Sequence, residues 1–356
     1  MKLAYSSLLA VYILLNNTIL GYLILLFSVL KVQSALKDVP LNYLLLFLFC
    51  LFFSVISLII TMSIAGYIQN LIYPIKALFS LYFLGITTLY FRENHIAYWN
   101  FIRFIAIGQI VLFIYSILIN IPTQWSGDTY IGFFSNRNTF AFASTVIFSS
   151  LVVSFIFISK DAKDILLAML IFILILLSQS RAALGCSLFS LLAFSYYFKQ
   201  TRFMLVFVFC FFSLSILILE PLVPIFGSLL SSIRFEDEAA NTFERLSVWG
   251  TSIGLIKNNP IFGVGFYKTG DYLILGTHAH NIFLQYLSDF GLFGLFFLVF
   301  VFFPLTRGVK QLSDPKIFIW APIILYSLVT LPIASPTSAL IIGALTGLTF
   351  YGRLRQ

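Results

Sequence analysis

Apolar runs long enough to cross the ~30 Å hydrocarbon core of a bilayer recur along this chain, and they constrain its fold more than any motif does. They fall at about 6–30, 41–64, 71–91, 101–121, 138–159, 165–180, 182–198, 203–220, 281–303, 317–334 and 336–351. Hydrocarbon offers no partner to a backbone N–H or C=O, so a run of this length is read as a helix. The predicted fold class is all-α, a polytopic membrane helix bundle of about 11 (10–12) transmembrane helices with a helical periplasmic loop. Residues 1–356 are read as a single membrane domain. Composition excludes a soluble alternative: 60% of the residues are hydrophobic and 10% charged, too little polar surface to cover a globule. The first run lacks a small-residue cleavage site after it and is read as a retained helix. Asn16 and Asn17 interrupt that run, which leaves a short helical hairpin open and sets the upper number of spans.

Orientation follows from where Lys and Arg fall. Lys31, Lys37, Arg92, Arg103, Lys160, Lys163, Lys199, Arg202, Arg307, Lys310, Lys316, Arg353 and Arg355 are assigned to short connectors of one face, read as cytoplasmic. Alternation then holds for every run, with Lys2 as a weak violation. The net charge of +8 gathers in these connectors, so the basic excess does not point to nucleic acid. Cys50, Cys186 and Cys210 lie inside apolar runs with no paired spacing, as small buried hydrophobes do. Two longer segments fall on the opposite, outer side: the loop from Pro122 to Arg137, and residues 221–280, the largest polar part of the chain.

Arg137, Arg181, Arg234, Arg245, Lys257 and Lys268 on that side run against the usual charge bias, and the planar fork of Arg matches phosphate oxygens. Arg181 closes the run Ser178-Gln179-Ser180-Arg181. One straight helix over 165–198 would be about 50 Å long, too much for one crossing. Two short spans meeting at Ser180 and Arg181 are therefore predicted. Arg181 either snorkels from a helix end or lines a polar cavity, and the Ser-Gln-Ser run favours the cavity.

Within 221–280, Asn241 and Glu244 have capping-box spacing, and Phe243, Leu246, Trp249, Ile253 and Ile256 form an apolar stripe that ends at Pro260. An amphipathic helix is predicted on the bundle mouth, with Arg245 on its polar side. The acids Glu236, Asp237, Glu238 and Glu244 offer Arg245 a local partner instead. Gly263 and Gly265 permit a tight turn or close backbone approach to a ligand. His278 and His280 flank Ala279 just before the next run, with no acid or Cys at a supporting spacing, so no metal is predicted. His280 either caps the helix start or takes a proton from an attacking hydroxyl, and Asn281 either caps that helix or hydrogen-bonds a sugar.

The stretch from Arg245-Leu-Ser-Val-Trp249 through Asn259-Pro260-Ile-Phe-Gly263-Val-Gly265 to His278-Ala-His280-Asn281 resembles the O-antigen ligase and O-antigen polymerase superfamily. In that superfamily a His followed by Asn, Ser or Gln precedes nine residues, a Gly, two more residues and a second small residue. Here His280-Asn281 leads through 282–290 to Gly291-Leu-Phe-Gly294. The Ser-Gln-Ser-Arg181 junction is similar to the family's Ser/Thr-x-Ser/Thr-Arg turn, and Asn136-Arg137-Asn138 to its Asn-containing element. By motif the resemblance covers about 130–300, and elsewhere only the pattern of spans.

The resemblance implies a metal-independent glycosyltransferase of the bacterial inner membrane, without a cofactor, working on the periplasmic face. The donor would be an undecaprenyl-diphosphate-linked oligosaccharide. The acceptor would be a second lipid-linked glycan or lipid A-core, and a chain-length regulator protein is a candidate partner. Positive charge around the leaving diphosphate falls to Arg181 and Arg245, with Arg137 a lesser candidate, and His280 would act as general base on the acceptor hydroxyl or position it. Asn136, Ser180, Gly263, Gly265, His278 and Asn281 are the expected substrate-binding positions. Small size and Phe/Ile-rich divergence favour a repeat-unit polymerase over a ligase. A transporter or flippase of the lipid-linked oligosaccharide is the alternative of another class. It would carry charges near the midplane in matched halves, whereas here they collect at one face.

Overall fold

The computed structural model describes residues 7, 9–11, 14, 45, 48, 52, 87, 88, 90, 91, 95–119, 125, 126, 129–132, 134, 137–197, 236–265, 269, 279, 281–299, 302, 314–328 and 336–350. Of 95, 125, 126, 129, 137, 197, 236–244, 336–340 and 350 it describes the backbone alone. The run expected at 203–220 lies outside the described residues, as do nearly all of those at 6–30, 41–64 and 71–91.

The described helices are α1 (His95–Ile119), α2 (Arg137–Ser154), α3 (Ala162–Leu177), α4 (Arg181–Tyr197), α5 (Glu236–Asn258), α6 (Ile282–Phe290), α7 (Ile317–Ser327) and α8 (Pro336–Phe350). A two-residue antiparallel ladder, Trp125–Ser126 (β1) with Thr129–Tyr130 (β2), sits between α1 and α2. Ile96–Ile119, Asn138–Ser159 and Ile282–Val299 are long and apolar enough to cross a membrane. Arg181–Tyr196 and Ile317–Ser327 are apolar but shorter. The two short helices expected to meet at Arg181 are α3 and α4.

Exposure along α1 explains why it is apolar all round. Ile107, Val111, Ile114 and Leu118 recur every three or four residues and stay exposed, while Phe101, Ile102, Ile105, Ala106 and Gln109 are buried against neighbours. A continuous exposed apolar stripe of this kind suits lipid rather than water. α2 is the centre of the bundle, packed on α1, α3, α4 and α7. Small hydroxyl residues let these helices approach one another. Thr145 and Ser150 of α2 donate to the carbonyls of Ala141 and Val146, and Ser150 also meets the Tyr98 hydroxyl at 2.8 Å.

One helix interruption is repaired across a helix interface. Pro322 inside α7 has no N–H for the carbonyl of Phe318. Ser190 of α4 donates to that carbonyl at 2.9 Å, which supplies the missing bond where water is scarce.

Charge inside the bundle is equally well partnered. Arg103 donates from Nε and an η nitrogen to the two carboxylate oxygens of Asp164, at 2.7 and 2.8 Å. Ser154 and Ser159 donate to the same carboxylate. The π-helical turn Phe155–Ser159 and Lys160, with φ +53°, bring Ser159 back toward α3. These bonds join α1, α2 and α3 on one face of the bundle. On the same face the Lys316 Nζ reaches the Thr349 carbonyl at 3.3 Å, and the Trp320 indole donates to the Thr349 hydroxyl at 2.9 Å. The end of α8 thereby gains a cation near its last carbonyls, where the helix dipole favours one.

Three expectations change. Arg103 lies within α1 and not in a connector, because Asp164 neutralises it there and the helix extends back to His95. The loop helix α5 begins at Glu236, before Asn241, so Asn241 and Glu244 do not mark its start. Its buried side is set by Val248 and Ser252 with Trp249 half-buried beside them, while Leu246 and Ile253 are exposed. The run at 281–303 is not one uninterrupted α-helix: α6 gives way to a 3₁₀ turn at Gly291–Phe293 before helix resumes.

Ser190→Ala should lower stability in detergent by about 1–2 kcal/mol, since it orphans the Phe318 carbonyl. In a Pro322→Ala background the same change should cost much less, because an N–H is restored at position 322. Thermal unfolding of the four proteins checks this, and equal costs in both backgrounds would refute the compensation.

Candidate active site

Two clusters of polar side chains hold the described residues among those singled out above. The first is the corner between α3 and α4. Ser178 donates to the Ile175 carbonyl at 2.6 Å, and Gln179 adopts φ +50°, which turns the chain sharply. Ser180 then caps α4: its Oγ accepts from the Ala183 N–H at 3.4 Å and its carbonyl from the Leu184 N–H at 3.0 Å. Arg181 is thus the first residue of α4, and it is exposed.

Tyr326 of α7 locks this corner to a second helix start. Its hydroxyl donates to the Asn138 carbonyl at 2.9 Å and lies 3.3 Å from Ser180 Oγ. The Tyr326 proton is used on Asn138, so Ser180 donates in the second contact. The first turns of α2 and α4, headed by Arg137 and Arg181, consequently meet around one phenol. Helix N-termini carry partial positive charge and unsatisfied N–H groups, so their meeting with two Arg positions suits an anion. Tyr130 of β2 packs edge-on to Phe140 of α2 and to Phe113 of α1, which anchors the preceding loop. Burial pushes its phenol well above the ordinary tyrosine range, partly opposed by a hydrogen bond with Ser116.

The second cluster lies between α5 and α6. The Trp249 indole N–H donates to the Ala279 carbonyl at 2.9 Å, while the Ala279 N–H donates to Gln285 Oε1 at 2.8 Å. Both polar groups of the residue between His278 and His280 are therefore held. Arg245 stands exposed on α5, about one turn before Trp249. Asn281 caps α6, its Oδ1 accepting from the N–H groups of Phe283 and Leu284 at 2.9 and 3.2 Å.

This geometry explains the motif spacing. The segment between Asn281 and Gly291 is the helix α6 itself, 9 residues long, with a cap at one end and a break at the other. Gly291 has φ +59°, and a Cβ there would collide with the backbone of Pro260 and Ile261. Gly263 has φ +67° and lies against the backbone of Asp289 and Phe290. Val264 and Gly265 donate to the carbonyls of Ser288 and Asp289, and Leu292 donates to the Pro260 carbonyl. Gly263 and Gly265 thus approach another part of the chain closely and fasten the turn after α5 to the end of α6.

Arg181 and Ser180 occupy the corner, with Arg137 described there by its backbone. Arg245, Gly263, Gly265 and Asn281 belong to the second cluster. Asn136, His278 and His280 lie outside the described residues. The described hydrogen bonds hold each cluster internally and do not join one to the other. Among the described residues, no group of three or more His, Cys, Asp or Glu comes together. Tyr326, Gln285, Asp289 and Thr269 were not singled out from the sequence. The overlooked signal was Gln285, Ser288 and Asp289 inside an apolar run, where polar side chains are costly and usually have a task.

Residues 166–299 match the family model described as O-antigen ligase. This segment contains the α3–α4 corner and the α5–α6 cluster. None of the curated proteins matches the chain.

Gly263→Ala should destabilise the protein by about 1–3 kcal/mol, through positive φ and collision with the Asp289 backbone. Gly254→Ala, inside α5 with open space around it, should be neutral or stabilising by about 0.5–1 kcal/mol. Thermal unfolding in detergent distinguishes these outcomes.

Proposed function

We propose that this chain is a member of the O-antigen ligase and polymerase superfamily and a membrane glycosyltransferase acting at the periplasmic face of the bacterial inner membrane. It moves a sugar chain from undecaprenyl diphosphate to an acceptor hydroxyl. The observation that carries the reading is the meeting of two Arg-headed helix starts around Tyr326 within and beside the matched segment. A leaving diphosphate needs such a concentration of fixed positive charge.

In the reaction, the bond between the anomeric carbon and the diphosphate oxygen breaks, and the acceptor oxygen bonds that carbon. The acceptor proton passes to His280, and the diphosphate departs with its negative charge against Arg181 and Arg245. Bidentate Arg–phosphate hydrogen bonds strengthen as that charge develops. Arg137 adds to the field from the head of α2. Asn136 and His278 contact the sugars. Asn281 meets them through its NH₂, since its Oδ1 serves the cap of α6. Gly263 and Gly265 shape the mouth by holding the turn after α5 against α6. The residues do this charge work without metal or cofactor.

The product is read as a polymer of O-antigen or capsule repeats built on the lipid carrier, on the Phe/Ile-rich divergence of the chain. Ligation of the finished chain to lipid A-core is the second reading, favoured by the description of the matching family model. Arg181→Ala and His280→Ala should each reduce transfer by at least about 100-fold while the protein still accumulates in membranes. Full complementation by either variant would sink the assignment. A lipopolysaccharide gel of a deletion strain, with its lipid-linked glycans extracted in parallel, separates the two reactions. Core bearing a single repeat means polymerase. Bare core with long polymer stranded on the carrier means ligase. Unchanged glycans in both pools exclude both.

A further inference from the structure

The mechanism above makes no use of a buried carboxylate in α6. Asp289 is almost wholly inaccessible, 1% exposed, inside an otherwise apolar stretch. A charge so placed is costly unless hydrogen bonds replace its water. Thr269 donates to its Oδ1 from both N–H and hydroxyl, at 3.1 and 2.6 Å, and the Gln285 Nε2 donates to its Oδ2 at 2.9 Å. One turn up the helix, the same Gln285 presents Oε1 to the Ala279 N–H.

An amide side chain has a donor end and an acceptor end, and the identity of its neighbours decides which way it points. An ionised Asp289 accepts only, so it requires the NH₂ end of Gln285. The oxygen must then face Ala279, whose N–H requires an acceptor. The carboxylate, the amide and the backbone N–H form one relay whose polarity is set by Asp289. Trp249 closes it from the other side by holding the Ala279 carbonyl.

We infer that Asp289 is a positioning residue: by orienting Gln285 it fixes the backbone at Ala279, the residue that precedes His280 in the chain. The consequence for transfer rests on the role proposed for His280, but the relay itself does not.

The relay makes a reciprocal prediction that packing alone would not. In Asp289→Asn the Thr269 N–H keeps the new amide's oxygen, so its NH₂ faces Gln285, which must either meet it donor to donor or flip and present its own NH₂ to the Ala279 N–H. Gln285→Glu keeps an acceptor for Ala279 but sets two carboxylates against each other. Combined, the two changes restore complementarity, because the Glu carboxylate accepts from both the Asn NH₂ and the Ala279 N–H.

The experiment purifies full-length wild type, the two single variants and the double variant in detergent. It measures hydrogen exchange in peptides spanning Ala279, alongside transfer from a lipid-linked glycan donor. Each single variant should speed exchange at Ala279 and slow transfer by about 10- to 100-fold. The double variant should regain wild-type exchange and come within about threefold of wild-type transfer. The inference is overturned if the double variant is no better than the worse single one, or if Ala279 exchange is the same in all four. If wild type itself transfers nothing, the exchange arm still decides the relay, and only the proposed function fails. Restored exchange without restored transfer overturns the link to transfer.

Discussion

In hydrocarbon no water is at hand for a free backbone N–H or C=O, and the described bundle depends on satisfying these groups wherever a helix starts, stops or is interrupted. Ser180 and Asn281 cap helix starts, and Ser190 supplies the hydrogen bond that Pro322 cannot. The turn after α5 satisfies its own amides on the last carbonyls of α6. Each device uses a small polar side chain or a glycine, because only these let one backbone come close to another. Ser180, Asn281, Gly263 and Gly291 also carry the motifs by which the chain resembles the O-antigen ligase and polymerase superfamily, so these motifs are read first as conditions for building the bundle.

Charge follows the same logic. Arg103 lies in a helix because Asp164, Ser154 and Ser159 surround it with oxygen. Lys316 is buried at the end of α8, beside Asp314 and the Thr349 carbonyl. These partnered charges gather on one face. Arg137 and Arg181 stand at helix starts on the opposite face, around Tyr326. The alternation read from Lys and Arg requires this separation of faces. The division also suits the proposed chemistry, since a diphosphate needs positive charge at the face where it departs.

The helical, membrane-capable character of the described residues was legible in the sequence because hydrophobic length acts locally. The turn at Ser178–Ser180 was readable because no single helix of that length fits one crossing. The stop at Pro260 was readable because proline cannot continue a helix. The buried side of α5 was not legible. Periodicity grouped Leu246 and Ile253 with Trp249, but packing is decided by Ser252 and Val248 and by one indole hydrogen bond to Ala279. A capping-box spacing at Asn241 likewise meant little once α5 extended back to Glu236.

The sequence by itself determined that the chain is a membrane bundle, that two short helices meet at Arg181, and that the His280–Gly294 spacing resembles a known superfamily. These follow from the thickness of hydrocarbon, the reach of a helix and the identity of residues at fixed intervals. Only the tertiary structure decided why that spacing exists: it is the length of α6, capped by Asn281 and broken where Gly291 meets the backbone of Ile261. It alone brought Tyr326 to Ser180 and Asn138, and Asp289 to Thr269 and Gln285. Hydrogen bonds between residues far apart in sequence leave no periodicity to read, because their partners are chosen by how helices pack.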